Sequence, residues 1–131
     1  MSASNALQKS IKATIDAASL GVSFYDGALP DATYPYLEVS SYFSIPDDAE
    51  GINGQEVTVQ IDVWGRDQSK MHPTSAIVDA VYDAVHEAQL SLDDPYACVN
   101  CRVVQTRIFM DPDGITAHGV VRVTALIEDT T

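Results

Sequence analysis

The segment EVTVQIDVWGR, residues 56–66, alternates apolar and polar side chains. In an extended chain, successive side chains point to opposite faces. The apolar face would carry Val57, Val59, Ile61 and Val63, and the polar face Thr58, Gln60, Asp62 and Trp64. A strand of this kind packs one face on a core and leaves the other in polar surroundings. The segment therefore predicts a β-sheet that other elements cover on one side.

Four further segments have the composition or the alternation of strands. VSFYDG is short and ends in a turn-forming Asp-Gly pair, and YLEVSSYF has Leu37, Val39 and Phe43 available to one face. CVNCRVVQTRIFM and ITAHGVVRVTALIE follow near the C-terminal end. In the last of these segments, the apolar residues of one parity are Ile115, Ala117, Val121, Val123, Ala125 and Ile127.

Two segments have the periodicity of amphipathic helices. The first covers residues 5–18, with Ser4 as the predicted N-cap and Gly21 closing the C-terminal end. The second covers residues 73–89, and Pro73 suits its first turn. The apolar stripe of the second helix would consist of Ile77, Ala80, Val81, Ala84, Val85 and Ala88.

The order of these elements is α-β-β-β-α-β-β. Runs of strands with two helices and no βαβ alternation predict an α+β fold, with a mostly antiparallel β-sheet packed against two α-helices on one side. The chain has 131 residues and no internal repeat, which predicts one domain over residues 1–131.

The segment DPDG, residues 111–114, is either part of a calcium loop or a tight turn between strands. An EF-hand loop with Gly114 at its sixth position would place Phe109 at the first position and Val120 at the twelfth, where oxygen ligands are required. Pro112 and Gly114 instead suit a three-to-four-residue hairpin loop. We interpret the segment as a turn.

A second connection, SIPDDAEGING at residues 44–54, is acidic, contains glycine and lacks periodicity. Such composition is typical of a loop between regular elements. It predicts an exposed, mobile loop.

Cys98 and Cys101 form a single CxxC motif. A zinc site needs a second pair or suitably spaced histidines, and a thioredoxin-like motif opens a helix, whereas the RVVQTRIF that follows favours a strand. In an extended strand, the two Cα atoms lie about 10 Å apart, which is too far for a disulfide. We predict two reduced cysteines at the start of a strand.

The charge balance argues against several classes of function. With 19 acidic and 7 basic residues, the net charge is −12, so composition predicts no basic stripe for sequence-independent binding of nucleic acid. The N-terminal segment lacks the cationic and apolar regions of a signal peptide, and no stretch approaches the length of a membrane span. We expect the chain to fold in the cytoplasm.

Residues that could carry chemistry are few and scattered. Asp79, Asp83 and Glu87 have i, i+4, i+8 spacing on the second helix and form either a solvated face or a site for a cation or basic partner. The histidines, at positions 72, 86 and 118, lack the spacing of helical zinc ligands, and no HExxH, GxSxG, P-loop or GxGxxG motif is present. No catalytic, cofactor-binding or metal-binding residue is predicted.

Trp64 lies on the polar parity of its strand and is followed closely by Arg66. An exposed aromatic residue beside arginine has the composition of a protein-interface hot spot. Alternatively, helices cover this face as well and Trp64 belongs to the core. The sequence leaves both interpretations open.

Four segments after the N-terminal helix carry a resemblance to a known family. They are YPYLEVSS, EVTVQIDVWGRD, AIVDAVYDAVHEA and RIFMDPDGITAHGVVRVTALIE. The most specific parts are the VWGR strand end and the DPDG turn followed by His118, Gly119 and an arginine-containing strand. In order and spacing, the chain resembles the tail-completion, or tail-terminator, proteins of long-tailed bacteriophages and gene transfer agent particles.

The resemblance implies a structural virion protein without catalysis or cofactor. Its subunits would form a homo-hexameric ring at the head-proximal end of the tail tube, which ends tube polymerisation and joins tail to head. The implied partners are further copies, the tail tube protein and a head-completion or neck protein. DNA would pass through the ring without specific binding, and no membrane is involved. The resemblance assigns no interface residue.

Two alternatives remain. The chain could be a neck adaptor or head-completion protein of the same kind of particle. It could also be a small enzyme or metal-binding protein, with Asp111, Asp113 and His118 as the only plausible cluster. We further expect the hairpin tip and the loop at residues 44–54 to be contact surfaces, so that deletion of residues 45–53 leaves the fold intact and impairs assembly.

Overall fold

The computed structural model describes residues 2–27, 31–49 and 51–131. These residues form the elements α1 (Ala3–Ala17), β1 (Ser23–Tyr25), β2 (Tyr36–Pro46), β3 (Asn53–Gly65), α2 (His72–Val85), β4 (Tyr96–Met110) and β5 (Ala117–Asp129). The predicted element order and the α+β class are both confirmed.

The strands form one sheet in the order β1-β2-β3-β5-β4. Every neighbouring pair is antiparallel except β1 and β2, which run parallel. After β3 the chain passes through α2 to the edge strand β4 and returns as β5, so the last strand in sequence lies between β3 and β4. The predicted mostly antiparallel sheet is confirmed.

Both helices pack on the same face of the sheet, where the apolar sides of β3 and β5 meet them. The alternation predicted for β3 is confirmed, because its four apolar residues are fully buried. Burial of a large aliphatic side chain contributes roughly 1.5–3 kcal/mol, so this layer supplies much of the folding free energy. The largest fully buried side chains are Leu7, Ile11, Leu37, Ile61, Ile127, Val57, Val59, Val63, Val81, Val85, Val121 and Val123.

Helix α2 approaches the sheet closely at Gly119 of β5. A Cβ atom at this position would lie 2.5 Å from Cγ2 of Val78 and 3.2 Å from Cβ of Val63. Only glycine leaves room for the helix at this distance, which is a common reason for glycine inside a strand.

The predicted orientation of Phe43 is wrong. A β-bulge separates the pairs Val39↔Ile61 and Ser41↔Gln60, so the side chains of β2 change face between these positions. Phe43 therefore pairs with Thr58 and lies on the face opposite Leu37, where it is exposed.

The predicted ends of α1 are shifted. The helix begins two residues before the predicted start, and Ser2, not Ser4, is the N-cap, with Oγ accepting from the Asn5 N–H at 3.1 Å. Ser4 lies inside the helix and is buried. At the other end, Ser19 already has a positive φ of 55°, ahead of Gly21.

The second helix is shorter than predicted. It ends at Val85, because His86 adopts an extended conformation and the N–H of Glu87 donates to the Cys101 carbonyl of β4 at 2.8 Å. The chain thus leaves the helix to contact the sheet, although residues 86–89 have helical composition.

The buried face of α2 only partly matches the predicted stripe. Val81 and Val85 are fully buried as predicted, but Val78 and Thr74 are also buried and were not assigned to the stripe. Ala88 lies beyond the end of the helix.

The predicted loop at residues 44–54 is mostly a hairpin. Strand β2 continues to Pro46 and β3 begins at Asn53, and the Asp47 N–H donates to the Gly54 carbonyl at 2.9 Å. Residues 44–46 extend β2 because they pair with residues 55–57 of β3. Their own composition does not indicate a strand. Glu50, within the predicted loop, lies outside the described residues.

Candidate functional site

The face of the sheet opposite the helices, which we call the open face, carries the polar sides of β3 and β5. Their register places Trp64 opposite His118, Gln60 opposite Arg122 and Thr58 opposite Thr124. Alternation alone predicts which residues share a face. The register, set by the whole sheet, decides which of them touch.

Trp64 lies within a stacked cluster at one end of the open face. Its ring centroid is 3.9 Å from that of His118, with an interplanar angle of 17°. His118 Nε2 lies 3.0 Å from Asp62 Oδ1, and the Trp64 indole N–H donates to Glu38 Oε1 at 2.9 Å. Trp64 is partly buried and is not part of the helix-covered core.

A hydrogen-bond network continues from this cluster along the open face. Gln60 donates to Asp62 at 3.2 Å, and Arg122 donates to the Gln60 side-chain carbonyl at 2.8 Å. The hydroxyls of Thr58 and Thr124 are 2.9 Å apart. Among the described residues, no buried side-chain nitrogen or oxygen lacks a partner. The network therefore joins strands and leaves no buried polar atom free for a ligand.

The prediction of a turn at DPDG is confirmed, although the connection between β4 and β5 spans residues 111–116. The Asp111 N–H donates to the Thr116 carbonyl at 2.8 Å, and the Gly114 N–H donates to the Asp111 carbonyl at 2.9 Å. Gly114 has φ of 68°, which favours glycine.

The Asp113 carboxylate stabilises this turn. Oδ1 accepts from the N–H groups of Ile115 at 2.8 Å and Thr116 at 2.9 Å, and Oδ2 accepts from the Thr116 hydroxyl at 2.7 Å. The backbone hydrogen bonds, first that of Thr116, then that of Ile115, lower the pKa of Asp113 from 3.8 to about 2. Arg66 lies nearby and donates to the Thr116 hydroxyl at 2.8 Å.

The structure brings together only part of the possible metal cluster. His118 Nδ1 lies 3.8 Å from Asp111 Oδ1, but both Asp113 oxygens accept hydrogen bonds from the turn itself. Across residues 2–27, 31–49 and 51–131, no group of three or more His, Cys, Asp or Glu side chains is placed to hold a metal ion. The structure thus gives the metal-binding alternative no ligand set in that part of the chain.

The acidic ridge predicted on the second helix is shorter than expected. Asp79 and Asp83 are exposed on α2, whereas Glu87 follows the helix and has a positive φ of 57°. His86 stacks on Tyr82 and its Nδ1 accepts from the Val103 N–H at 3.0 Å. These contacts hold the end of α2 against β4.

Cys98 and Cys101 are both free, as predicted. They lie in β4, where they pair with Ile127 and Ala125 on the buried face. Burial, with a smaller effect of Cys98, raises the pKa of the Cys101 thiol to about 12. Burial also raises the pKa of Cys98. Both thiols therefore lack the lowered pKa typical of reactive cysteines.

The open face carries charged side chains of both signs, because Glu56 and Asp62 share it with arginines of β4 and β5. The register of β4 on β5 sets Arg102 opposite Thr124, Gln105 opposite Arg122 and Arg107 opposite Val120. Three of the seven basic residues thus share the open face. A sequence of net charge −12 gave no reason to expect this grouping.

Exposed apolar side chains are the remaining feature of the surface. Four of them lie on the hairpin of β2 and β3, two on β4, two on or next to α2, and one at the β4–β5 turn. They are Tyr42, Phe43, Ile45, Ile52, Val99, Val104, Met71, Tyr82 and Ile115. In the described ranges, neither helix has the length and apolarity needed to cross a membrane.

Comparison with solved structures identifies the fold. One chain of the virion of a native gene transfer agent particle has a TM-score of 0.86 at 18% identity, covering 98% of this chain and 99% of the other. The gp17 protein of bacteriophage SPP1 has a TM-score of 0.65 at 23% identity, covering 98% and 94% of the two chains. The fold is thus one that phage-type particles contain.

Sequence comparison identifies the family. The profile of the family described as tail completion protein gp17 matches residues 5–128. The tail completion protein gp17 of Bacillus phage SPP1 is 26% identical over 93 residues, which are 71% of this chain and 67% of the relative. The chain belongs to the gp17 family of tail completion proteins, and the resemblance seen in its motifs is confirmed. It is accordingly a virion component.

Proposed function

We propose that this chain forms a ring that caps the head-proximal end of a tail tube, ends tube polymerisation and joins tail to head. The observation that carries the proposal is the family match over residues 5–128, together with a fold shared with a gene transfer agent virion chain. The ring is a homo-hexamer that contacts the tail tube protein on one side and a head-completion or neck protein on the other.

The ring acts by binding, without catalysis or cofactor. The polar cluster around Trp64 and His118 is hydrogen-bonded within the sheet, and Asp113 is engaged by its own turn. These arrangements stabilise a rigid subunit, which suits a part that sets the geometry of an assembly.

The charge of the subunit also supports this role. Each copy carries a net charge of −12, so a ring of copies repels the phosphates of DNA that moves through it. A passage of this kind lets DNA through without holding it.

The test is to remove the gene from cells that produce the particle and to image the products by electron microscopy. We expect tubes of uncontrolled length and heads without tails, and restoration of normal particles by the wild-type gene. Purified protein should also bind one end of isolated tail tubes. Binding to portal-bearing heads without tubes would instead identify the chain as a neck adaptor or head-completion protein.

A further inference from the structure

Strand β4 is an edge strand, and the segment that follows α2 covers part of its outer side. In the described part of the chain, β4 pairs with β5 alone, so its other side has no partner strand. An edge strand presents unpaired N–H and C=O groups, which can template pairing with another chain. Residues 86–90, which we call the edge guard, lie along this side of β4.

Two hydrogen bonds join the edge guard to the backbone of β4. The Glu87 N–H donates to the Cys101 carbonyl at 2.8 Å, and His86 Nδ1 accepts from the Val103 N–H at 3.0 Å. Cys101 and Val103 are two residues apart, so in a regular strand their ladder groups point to the same side. The guard thus engages a donor and an acceptor with which another strand would otherwise pair.

The guarded residues lie between two β-bulges of β4. One bulge separates Cys98 from Asn100, and the other separates Val103 from Gln105. Bulges bend a strand and disrupt its ladder, so they oppose the pairing of a further strand at these points. Regular strand remains between the bulges, and this is the stretch that the guard covers. Its surroundings, CVNCRVV at residues 98–104, have the apolar composition and low charge that favour association of strands.

Other parts of the sheet edges carry protections of their own. Beyond its second bulge, β4 has the exposed Arg107. At the other edge of the sheet, β1 pairs with residues 36–38 of β2. Farther along β2, a bulge lies between Val39 and Ser41, and Pro46 ends the strand. Charges, bulges and prolines commonly protect edge strands. The edge guard therefore belongs to a pattern that protects both edges of the sheet.

The backbone at Glu87 indicates that neighbouring groups hold the guard in place. Glu87 has a positive φ of 57°, a conformation that residues other than glycine rarely adopt. On one side of it, His86 stacks on Tyr82 with ring centroids 4.6 Å apart. On the other side, Leu90 is buried in the core. A strained residue persists when its neighbours fix it. The guard is therefore held against β4 at both of its ends.

We propose that the edge guard is an inhibitory contact, which prevents β4 from pairing with a strand of another copy of this chain. Without the guard, the outward groups of Cys101 and Val103 could extend the sheet into a second copy. The guard keeps subunits apart along this edge and leaves their assembly to other surfaces. This role belongs to the free subunit and does not depend on the proposed ring.

The test compares proline and glycine at position 87 of the full-length chain. Glu87→Pro removes the N–H donor and excludes the positive φ, while His86, with φ of −68° and ψ of 122°, suits the position before a proline. Glu87→Gly, the matched control, keeps the donor and allows the positive φ. In sedimentation velocity, we expect Glu87→Pro to self-associate at least about tenfold more tightly than wild type and Glu87→Gly to behave as wild type.

A second variant, His86→Ala, removes the acceptor for the Val103 N–H and keeps the N–H of Glu87. It should also associate more tightly than wild type, and it decides the question if circular dichroism shows that Glu87→Pro is unfolded. Adding Val104→Lys places a charge at the exposed second bulge and should reverse the association of either variant. Folded variants that sediment as wild type, or association that Val104→Lys leaves unchanged, would overturn the proposal.

Discussion

Among single residues, Asp113 makes the stability of the turn between β4 and β5 depend on pH. Its pKa in the folded chain, about 2, is below its ordinary value of 3.8. The carboxylate therefore stabilises the fold fully above the ordinary pKa, and this stability is lost as the pH falls through about 2. We expect urea unfolding midpoints of wild type to decline over this interval more steeply than those of Asp113→Asn.

The comparison with Asp113→Asn isolates the effect of one residue, because the other acidic residues are common to both chains. The side chain of asparagine is uncharged, and its amide nitrogen cannot accept a hydrogen bond as Oδ2 of Asp113 does from the Thr116 hydroxyl. Parallel pH profiles for the two chains would contradict the role of the charged carboxylate in the turn.

The two cysteines should differ in reactivity. Cys101 is 1% exposed and its pKa is raised to about 12, so it presents almost no thiolate at mildly alkaline pH. Cys98 is less buried. With a thiol-labelling reagent, we expect Cys98 to react slowly in the folded chain and Cys101 only after unfolding. Rapid labelling of folded Cys98→Ser would contradict this.

At this scale, the sequence predicts which side chains share a face as long as a strand is regular. The alternation of β3 is correct throughout, including the buried Val57 and Val63. It fails for Phe43, since a bulge depends on the partner strand and leaves no mark in alternation. The contact of Trp64 with His118 could not be predicted either, because register requires knowing that β5 is the neighbour of β3.

At the scale of elements, the packing of α2 on the sheet depends on Gly119. The variant Gly119→Ala places a methyl group against Val78 and Val63, and overpacking of this kind costs roughly 1–3 kcal/mol. We expect a lower free energy of unfolding in urea. Val78→Ala should cost less stability in the Gly119→Ala background than in wild type, because it makes room for the methyl group.

A double-mutant cycle measures that coupling directly. If the costs of Gly119→Ala and Val78→Ala simply add, the two residues are not in the tight contact described, and the close approach of α2 at this point is wrong.

The structure of the hairpin formed by β2 and β3 allows a more selective test than the deletion of residues 45–53 that the sequence suggested. Deleting residues 45–53 would remove paired strand residues, including Ile45 and Pro46. Replacing residues 47–54 by Asn-Gly keeps the pair Pro46↔Gln55 and supplies a two-residue turn between them. We expect an unchanged circular dichroism spectrum and impaired particle assembly in complementation. Normal assembly of particles would show that the tip of the β2–β3 hairpin contacts no partner.

The sequence predicts the existence and order of the elements better than their ends. Each helix was found from its periodicity, but α2 ends at Val85 because the following residues bond to β4. Such tertiary contacts override local propensity and cannot be seen in one segment. The open face likewise follows from topology, which the order of elements does not fix.

For the whole molecule, association should depend on salt. Subunits that each carry a net charge of −12 repel, and the Debye length falls from about 10 Å at 0.1 M salt to about 3 Å at 1 M. We expect sedimentation velocity to show one discrete closed oligomer. The fraction of protein in this oligomer should increase with salt and with protein concentration. A continuous series of larger species would indicate open polymerisation instead of ring closure.

The position of β5 also has a consequence for synthesis on the ribosome. Because residues 117–129 lie between β3 and β4, a nascent chain that lacks them can form only the β1-β2-β3 part of the sheet, and β4 has no partner strand among the described residues. The core therefore forms only after these residues emerge, and the growing polypeptide depends until then on chaperones or on rapid completion to avoid aggregation. We therefore expect a chain that ends before β5 to lack the packed core that the complete sheet forms.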